Sequence, residues 1–409
     1  MRYLIWSVFL IAAFMAACSK PAKAPEGILF KDDVGFLKAH TSPVVLSAKD
    51  GLAQAAVCPD LQGRVMTSTA GGPKGASFGW INRELIASGQ NNLHMNGFGG
   101  EDRFWLGPEG GQFSIFFKKD DPFDLDHWYT PPPINEGAFD IISQETDRIH
   151  FRKAIHLQNY SGTEFDLEVN RTIRLLGEEE VRALGITVAE KINMVAFASE
   201  NSITNTGSAP WTKETGLLSI WILGMFSPSP DTTIVIPFKP GPEDVLGPAV
   251  NDTYFGKVPA DRLIVKDGIL FFSGDGNYRS KIGISPRRVK PFAGSYDATN
   301  KVLTVVHLTV PDGATDYVNS MWEIQENPYG GDVVNSYNDG PPAPGAKPLG
   351  PFYELESSSP GAALNSGETL THVHTTIHAQ GEDKVLDEIA RRVLGVGLDE
   401  IIRAIKKVE

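Results

Sequence analysis

Cysteine is nearly absent from this 409-residue chain, which contains only Cys18 and Cys58. At most one disulfide could form, so the fold must rest on its hydrophobic core, which a composition of 41% hydrophobic residues can supply. Clusters of Lys and Arg are also missing, and 50 acidic against 37 basic residues give a formal net charge of -13. Because nucleic-acid binders need grouped cations against phosphates, we expect no nucleic-acid partner.

Internal repeats are missing as well, since no segment recurs with a period of about 20 to 50 residues, which argues against a propeller. No regular calcium-loop spacing is present, and the glycine pairs lack the strand-loop-helix context of a phosphate loop. We expect no metal and no cofactor.

The longest apolar run lies in the first 18 residues, MRYLIWSVFLIAAFMAAC, behind a basic start at Arg2. The run is short for a transmembrane span and is typical of a secretory signal. Its end, Met-Ala-Ala-Cys, resembles a bacterial lipobox, which implies a lipidated Cys18 and a membrane-anchored protein of the cell envelope, periplasmic or outer-membrane. A plain signal peptide or a transmembrane anchor is the alternative interpretation.

Alternation of apolar and polar residues with period 2 dominates the rest of the chain. In residues 163–176, TEFDLEVNRTIRLL, Phe165, Leu167, Val169 and Ile173 fall on one face of a predicted strand. Many such runs, separated by turns rich in glycine and proline, predict an all-β fold, a large antiparallel sandwich. Two short helices are predicted near the C-terminus, covering one edge of the sheet.

These patterns divide the chain into four segments. Residues 1–18 are the signal, 19–39 a flexible tether, 40–380 the β domain, and 381–409 a C-terminal helical segment.

The first polar constellation is the stretch GGEDRFWLGPEGGQF, residues 99–113. Glu101, Asp102, Arg103, Trp105 and Glu109 combine carboxylates, a guanidinium and an aromatic ring, the groups that hold sugar hydroxyls and the apolar face of a sugar ring. A tight surface loop in which Arg103 pairs with a neighbouring acid is the alternative.

Acidic residues form the second constellation, in GPFYELESSSPG. Glu354 and Glu356 are two residues apart, so on a strand both point to one side. Burial of paired carboxylates raises the pKa of at least one and suits it to acid or base chemistry. On a solvated face neither would have this role.

Histidines form the third constellation, in ETLTHVHTTIH, where His372, His374 and His378 share one face of a predicted strand. Such imidazoles can bind zinc or transfer protons, although a zinc site also needs a third ligand and an ordered second shell, whose geometry a sequence does not give. Hydrogen bonding to sugar or backbone is the alternative that we favour over metal. Between these stretches, Trp322, Tyr329 and Tyr337 offer further stacking surfaces.

The order of these pieces resembles the galactose mutarotase (aldose 1-epimerase)-like superfamily, over most of residues 40–380. The resemblance rests on LQGRVMTSTA, GGEDRFWLGPEGG, SITNTGSAPWTKETGLLSIWILGMF and FYELESSSPGAALNSGETLTHVHTTI. The chain is also similar to exported lipoproteins of Bacteroidetes-type bacteria with this fold. The resemblance implies an antiparallel β-supersandwich that binds sugars on its concave face.

The resemblance also implies roles for residues. Glu354 or Glu356 is similar to the late glutamate that takes the proton of the anomeric hydroxyl, and Arg103 resembles a sugar-binding arginine. The mid-chain histidine that protonates the ring oxygen is missing, because LLSIWILGMF carries Trp221 there. His94, His372 or His374 could replace it in space.

Two functions remain open from the sequence. The first is acid/base chemistry on a sugar by an envelope-anchored enzyme, either epimerase-like or glycan-processing. The alternative is a lipoprotein that binds carbohydrate without turnover, since a fold alone does not decide activity.

Overall fold

The computed structural model describes residues 27–189 and 192–405. The predicted signal, Cys18 and the first part of the predicted tether lie outside the described residues. The strands are β1 (Val44–Ser47), β2 (Gln54–Cys58), β3 (Arg64–Thr69), β4 (Arg103–Gly107), β5 (Asp140–Gln144), β6 (Arg148–Gln158), β7 (Glu164–Leu175), β8 (Ile192–Asn205), β9 (Ser219–Phe226), β10 (Thr232–Pro237), β11 (Leu263–Lys266), β12 (Ile269–Ser273), β13 (Ser280–Ile284), β14 (Phe292–Asp297), β15 (Val302–Leu308), β16 (Val334–Asn338), β17 (Tyr353–Ser358) and β18 (Thr369–Gly381). The helices are α1 (Phe30–His40), α2 (Arg83–Ser88), α3 (Pro132–Asn135), α4 (Glu178–Ala183), α5 (Glu243–Leu246), α6 (Asp383–Val393) and α7 (Leu398–Ala404).

Most strands belong to two large antiparallel sheets. Ten strands follow the order β11-β12-β10-β14-β15-β18-β8-β7-β6-β5, and five follow the order β13-β16-β17-β9-β4. A third sheet has the order β1-β2-β3. The ten-stranded and five-stranded sheets face each other, because Ser357 on β17 contacts His372 on β18, with 2.8 Å between Oγ and Nε2. The prediction of an all-β antiparallel sandwich is confirmed.

The strand predicted from TEFDLEVNRTIRLL shows why the alternation was informative. It forms β7, and Phe165, Leu167, Val169 and Ile173 are buried in the core between the sheets. The same face also carries Arg171, which is fully buried and donates to Asp102 Oδ1 and to Asn201 Oδ1. Arg171 occupies a position where the alternation calls for an apolar residue, and in the structure this exception marks a buried ion pair with Asp102.

The C-terminal helices pack on the outer face of the ten-stranded sheet. Leu386 and Ile389 of α6 and Ile401 of α7 are buried in one cluster with Val305 and Ile377 of the sheet. The helices thus cover a face of the sheet, whereas the sequence predicted that they cover an edge. The outer face needs this cover because β15, VLTVVHL, departs from strict alternation and is apolar on both faces. Leu303 and Val305 pack in the cluster of the helices, and Val306 and Leu308 pack in the core on the other side.

The second half of the predicted tether is structured. Residues 30–40 form α1, in which Phe30 and Leu37 are buried. Asp33 accepts a hydrogen bond from Arg83 of α2. This differs from the flexible segment that the sequence predicted, because the apolar residues of α1 find a partner surface on β3 that only the folded chain provides. In the described residues, no helix has the length and apolar character needed to cross a membrane.

Candidate functional site

A cavity of about 650 Å³ opens over one face of the five-stranded sheet. Every strand of that sheet contributes to its lining. The contributing strand residues are Gly107, Ser219, Trp221, Ser358, Asn335, Tyr337 and Lys281. Loop residues complete the walls: Glu109, Trp128, Tyr254, Phe255, Arg279, Trp322, Glu323, Asp332 and Asp339. The cavity is in the size range of ligand pockets and combines aromatic rings with charged groups.

Strand alternation places the predicted acids on the cavity side. On β17, Tyr353 and Leu355 enter the core between the sheets, so Glu354 and Glu356 point the other way, toward the cavity. On β4, Phe104 enters the core in the same manner, and Arg103 and Trp105 take the opposite face. The two constellations that the sequence singled out separately therefore meet on one sheet face.

Glu356 lies beneath the cavity floor on β17, the central strand of the sheet, next to Trp221 and Lys281, which line the cavity. Its Oε2 accepts hydrogen bonds from the Lys281 ammonium at 3.0 Å and from the Trp221 indole N–H at 2.9 Å. Its Oε1 is buried and has no hydrogen-bond partner among the described residues. Ser219 Oγ, on the neighbouring strand, is likewise buried without a partner in that part of the chain. Buried polar atoms without partners are costly, so both atoms are candidates for contacts with a ligand.

Glu354 lies beside Arg103. Arg103 Nη2 donates to Glu354 Oε1 at 3.3 Å, and the guanidinium lies 4.1 Å from the centre of the Trp105 ring. Burial raises the pKa of Glu354 to about 8, against the opposing effect of Arg103 and together with repulsion from Glu356. Burial also lowers the pKa of Arg103, which Glu354 opposes. Glu354 therefore retains its proton near neutral pH.

Glu109 lies in the cavity wall, in the loop that follows β4. The two glycines after it are required there: a Cβ on Gly110 would lie 2.3 Å from the carbonyl oxygen of Met321, and Gly111 has a φ of +82°. The loop thus packs directly on the segment of Trp322. Burial raises the pKa of Glu109, while Lys281 and the Trp322 indole N–H act in the opposite direction.

Lys281 connects these acids and was missed by the sequence analysis. Burial alone would lower its pKa, but the carboxylates of Glu356, Glu109 and Glu354 outweigh burial and raise it. Lys281 precedes the apolar Ile282 in a short strand, and this polar-apolar alternation is equally typical of a strand whose polar face is exposed to solvent. The sequence therefore held no signal for this residue, because the pairing of β13 with β16 decides where it points.

The far end of the cavity, over β13 and β16, carries a polar cluster. Tyr254 donates from its hydroxyl to Asp332 Oδ2 at 2.6 Å and accepts from Asn335 Nδ2 at 3.1 Å. Burial raises the pKa of Asp332. The guanidinium of Arg279 lies 3.9 Å from the centre of the Phe255 ring at the rim. Of the three rings predicted as stacking surfaces, Tyr337 lines this end of the cavity and Trp322 lines the opposite end. Tyr329 does not line the cavity.

The predicted histidines are not in the cavity. His372 and His374 are fully buried between the two large sheets, where each has a ring nitrogen 2.8 Å from Ser357 Oγ, on the opposite face of β17 from Glu356. Burial lowers the pKa of His372 to about 3 and that of His374 to about 4, so both are neutral at pH 7. The predicted replacement for the missing proton donor is therefore not found at these positions, because their strand turns this face to the sandwich interior.

Three other predicted residues do not line the cavity. Glu101 is fully buried and bonds to the Ser68 hydroxyl at 2.8 Å and to His378 Nε2 at 3.0 Å. Trp105 supports Arg103 from below without lining the cavity. His94 Nδ1 lies 2.6 Å from the backbone oxygen of Trp128, behind the cavity wall. Within the described residues, no group of three or more His, Cys, Asp and Glu side chains is placed to hold a metal ion.

Several solved structures are similar to this chain. A putative aldose 1-epimerase from Escherichia coli K12 is 12% identical with a TM-score of 0.49, and the match covers 83% of this chain and 99% of that chain. The Slr1438 protein from Synechocystis sp. PCC 6803 is 15% identical with a TM-score of 0.48, covering 84% and 96%. A galactose mutarotase-like protein from Lactobacillus casei ATCC 334 is 10% identical with a TM-score of 0.46, covering 83% and 100%.

Two of these descriptions name the superfamily that the sequence resembles. No curated protein matches the sequence. A family model described as a family of unknown function, DUF6786, matches residues 28–405. Since the match spans nearly the whole described chain, this protein belongs to the DUF6786 family.

Proposed function

We propose that the cavity binds a carbohydrate and that the protein carries out acid/base chemistry on it. The observation that carries the proposal is the pair of buried carboxyl groups, Glu354 and Glu356, under a cavity walled by Trp128, Trp221 and Trp322. Aromatic faces suit the apolar faces of sugar rings, and the charged groups suit hydroxyls. The superfamily resemblance of the sequence points to the same class of ligand.

Glu109 and Glu356 are the groups we assign to proton transfer. Glu109 faces the cavity with a raised pKa, which favours its protonated form and makes it the candidate acid. Glu356 offers the free Oε1 as the candidate base. In an epimerase-like reaction, Glu356 takes the proton of the anomeric hydroxyl while Glu109 gives one to the ring oxygen. The bond from the anomeric carbon to the ring oxygen breaks, and reclosure on the other face returns both protons.

Binding without turnover is the second candidate function, and one observation favours it. Glu356 is already paired with Lys281 and Trp221, and its side chain is closed off from the cavity. Both hydrogen bonds engage Oε2, so that oxygen is not available to take a proton from a ligand. The same sugar would then occupy the cavity with Glu356 serving only to hold Lys281 in place.

We also propose that the chain is anchored in the cell envelope through lipidated Cys18. The support is the sequence alone: the apolar run ends in Met-Ala-Ala-Cys, and a polar segment precedes α1. This location would present the cavity to glycans outside the cytoplasm.

The test combines binding and turnover. Saturation-transfer NMR of the purified chain against a panel of monosaccharides and oligosaccharides should identify a bound sugar, and exchange spectroscopy should show anomeric exchange or a new product. We expect E109Q and E356Q each to lower turnover by about 10² to 10⁴ while binding persists. E326Q, which changes an exposed acid of the same segment that does not line the cavity, is the matched control and should leave turnover unchanged.

The outcomes separate the candidates. Bound sugar with no exchange and no product would overturn the enzyme proposal in favour of binding without turnover. Failure of every sugar in the panel to bind would overturn both.

A further inference from the structure

The cavity is longer than one sugar ring needs. Its lining runs across all five strands, from Gly107 on β4 to Lys281 on β13. Four spacings of about 4.8 Å between neighbouring strands give a floor about 19 Å wide. A hexose displaces several water molecules and so fills on the order of 200 Å³, against a cavity of about 650 Å³.

Aromatic surfaces stand at both ends of this floor. At the β4 end, Trp322 stacks on Trp128 with ring centroids 5.9 Å apart, and Trp128 also stacks on Phe116, so Trp322 is the platform at this end. At the β13 end, Phe255 and Tyr337 meet edge to face with centroids 5.9 Å apart. Phe255 is 46% exposed, with the Arg279 guanidinium over its ring. The two ends therefore offer separate stacking platforms.

The free oxygen lies between the platforms. Glu356 stands on β17, the central strand of the sheet, with two strands on either side. A ring placed over Glu356 Oε1 leaves space toward Trp322 in one direction and toward Phe255 in the other. A single monosaccharide would leave both platforms empty.

We infer that the cavity takes a linear oligosaccharide of at least three units, with units bound on both sides of Glu356. The inference rests on the proposed carbohydrate function and specifies its ligand class. A chain bound in this way places a bond between sugars, and not a free reducing end, near the acids, so it favours glycan-processing acid/base chemistry over the epimerase-like reaction.

Chain length is the variable that tests the inference. Linear malto-, cello-, xylo-, manno- and chito-oligosaccharides of one to five units are titrated calorimetrically into the full chain. For the series that binds, we expect Kd to fall at least tenfold from one unit to three and to level off by about five. F255A should weaken tetrasaccharide binding about tenfold and leave monosaccharide binding within twofold.

Tyr278→Ala is the matched control. Tyr278 is another exposed aromatic ring with an arginine over its face, Arg262 at 5.1 Å, but it does not line the cavity. We expect the Tyr278→Ala variant to bind oligosaccharides of every length with the Kd of the wild type. Unfolding curves of F255A and Tyr278→Ala verify that both variants fold. We expect both to fold because both rings are exposed at the surface.

Two results would contradict the inference. Equal affinity for one unit and four, or a F255A variant that binds every length like the wild type, would overturn the extended site while the carbohydrate function stood. Absence of binding to every sugar would overturn the carbohydrate function itself, and the extended site with it.

Discussion

At the scale of single residues, burial sets the protonation states on the two faces of β17. On the cavity face, desolvation disfavours the carboxylate of Glu354, so the group is neutral when its surroundings are folded. On the interior face, desolvation disfavours the imidazolium form of His372 and His374. The same physical effect thus keeps a proton on an acid on one side of the five-stranded sheet and removes one from the bases packed against its other side.

The neutral state of Glu354 predicts a pH-dependent stability that E354Q should abolish. The pKa is about 4.5 in the unfolded chain and about 8 in the folded one. Its stabilising contribution is therefore fully present below about pH 4.5 and is lost as the pH rises toward 8. Gln is neutral at every pH. Across this window the free energy of unfolding of the wild type should therefore fall relative to that of E354Q by up to about 1.4 kcal/mol per pH unit.

Urea unfolding at pH 5, 6.5 and 8 measures this difference. Exposed Glu388 on α6 provides the control, since E388Q also removes one formal charge. Parallel stability curves for wild type and E354Q would show that Glu354 is ionised in the folded protein.

At the scale of elements, two short segments take positions that their local sequence does not reveal. Helix α1 docks against β3 through Phe30 and Leu37, although the sequence before residue 40 suggested a tether. Strand β13 turns Lys281 to the cavity because it pairs with β16 at the edge of the five-stranded sheet. In both cases, contacts with a segment distant in sequence decide where the element lies and which way its side chains point.

Docking of α1 predicts that L37A destabilises the protein. Leu37 is fully buried in a cluster with Met66 and Phe98, so its truncation leaves a cavity and should cost about 2 to 5 kcal/mol. The exposed neighbour Lys38 is the control, and K38A should stay within about 0.5 kcal/mol of the wild type. Chemical denaturation measures both. An L37A variant as stable as the wild type would mean that residues 30–40 behave as a tether.

At the scale of the whole molecule, the proposed anchor predicts where the protein is found. In a bacterial host, C18S should lose incorporation of labelled palmitate and move from the membrane fraction to the soluble fraction, because acyl chains supply the membrane affinity. C58A is the matched control, since Cys58 is a buried free thiol in β2 and its variant should remain with the membrane. A C18S variant that still sediments with membranes would contradict lipid anchoring at this residue.

Much of the architecture and part of the site could be predicted. The period-2 pattern gave β7 and the antiparallel sandwich, because alternation is a local consequence of strand geometry. The spacing of Glu354 and Glu356 correctly placed both on one face. The stretch around Arg103 and Glu109 was also recognised, and the structure brings it to the same cavity.

What the sequence determined by itself is the set of local relations: which residues share a strand face, where the chain turns, and that the core must form without a disulfide framework. Only the tertiary structure decided which of those faces meets the cavity. His372 and Glu356 have equally good alternation, yet one faces the sandwich interior and the other the ligand space. The reason is that strand period fixes the angle between neighbouring side chains, whereas the order and stacking of sheets depend on pairings between residues far apart in the chain.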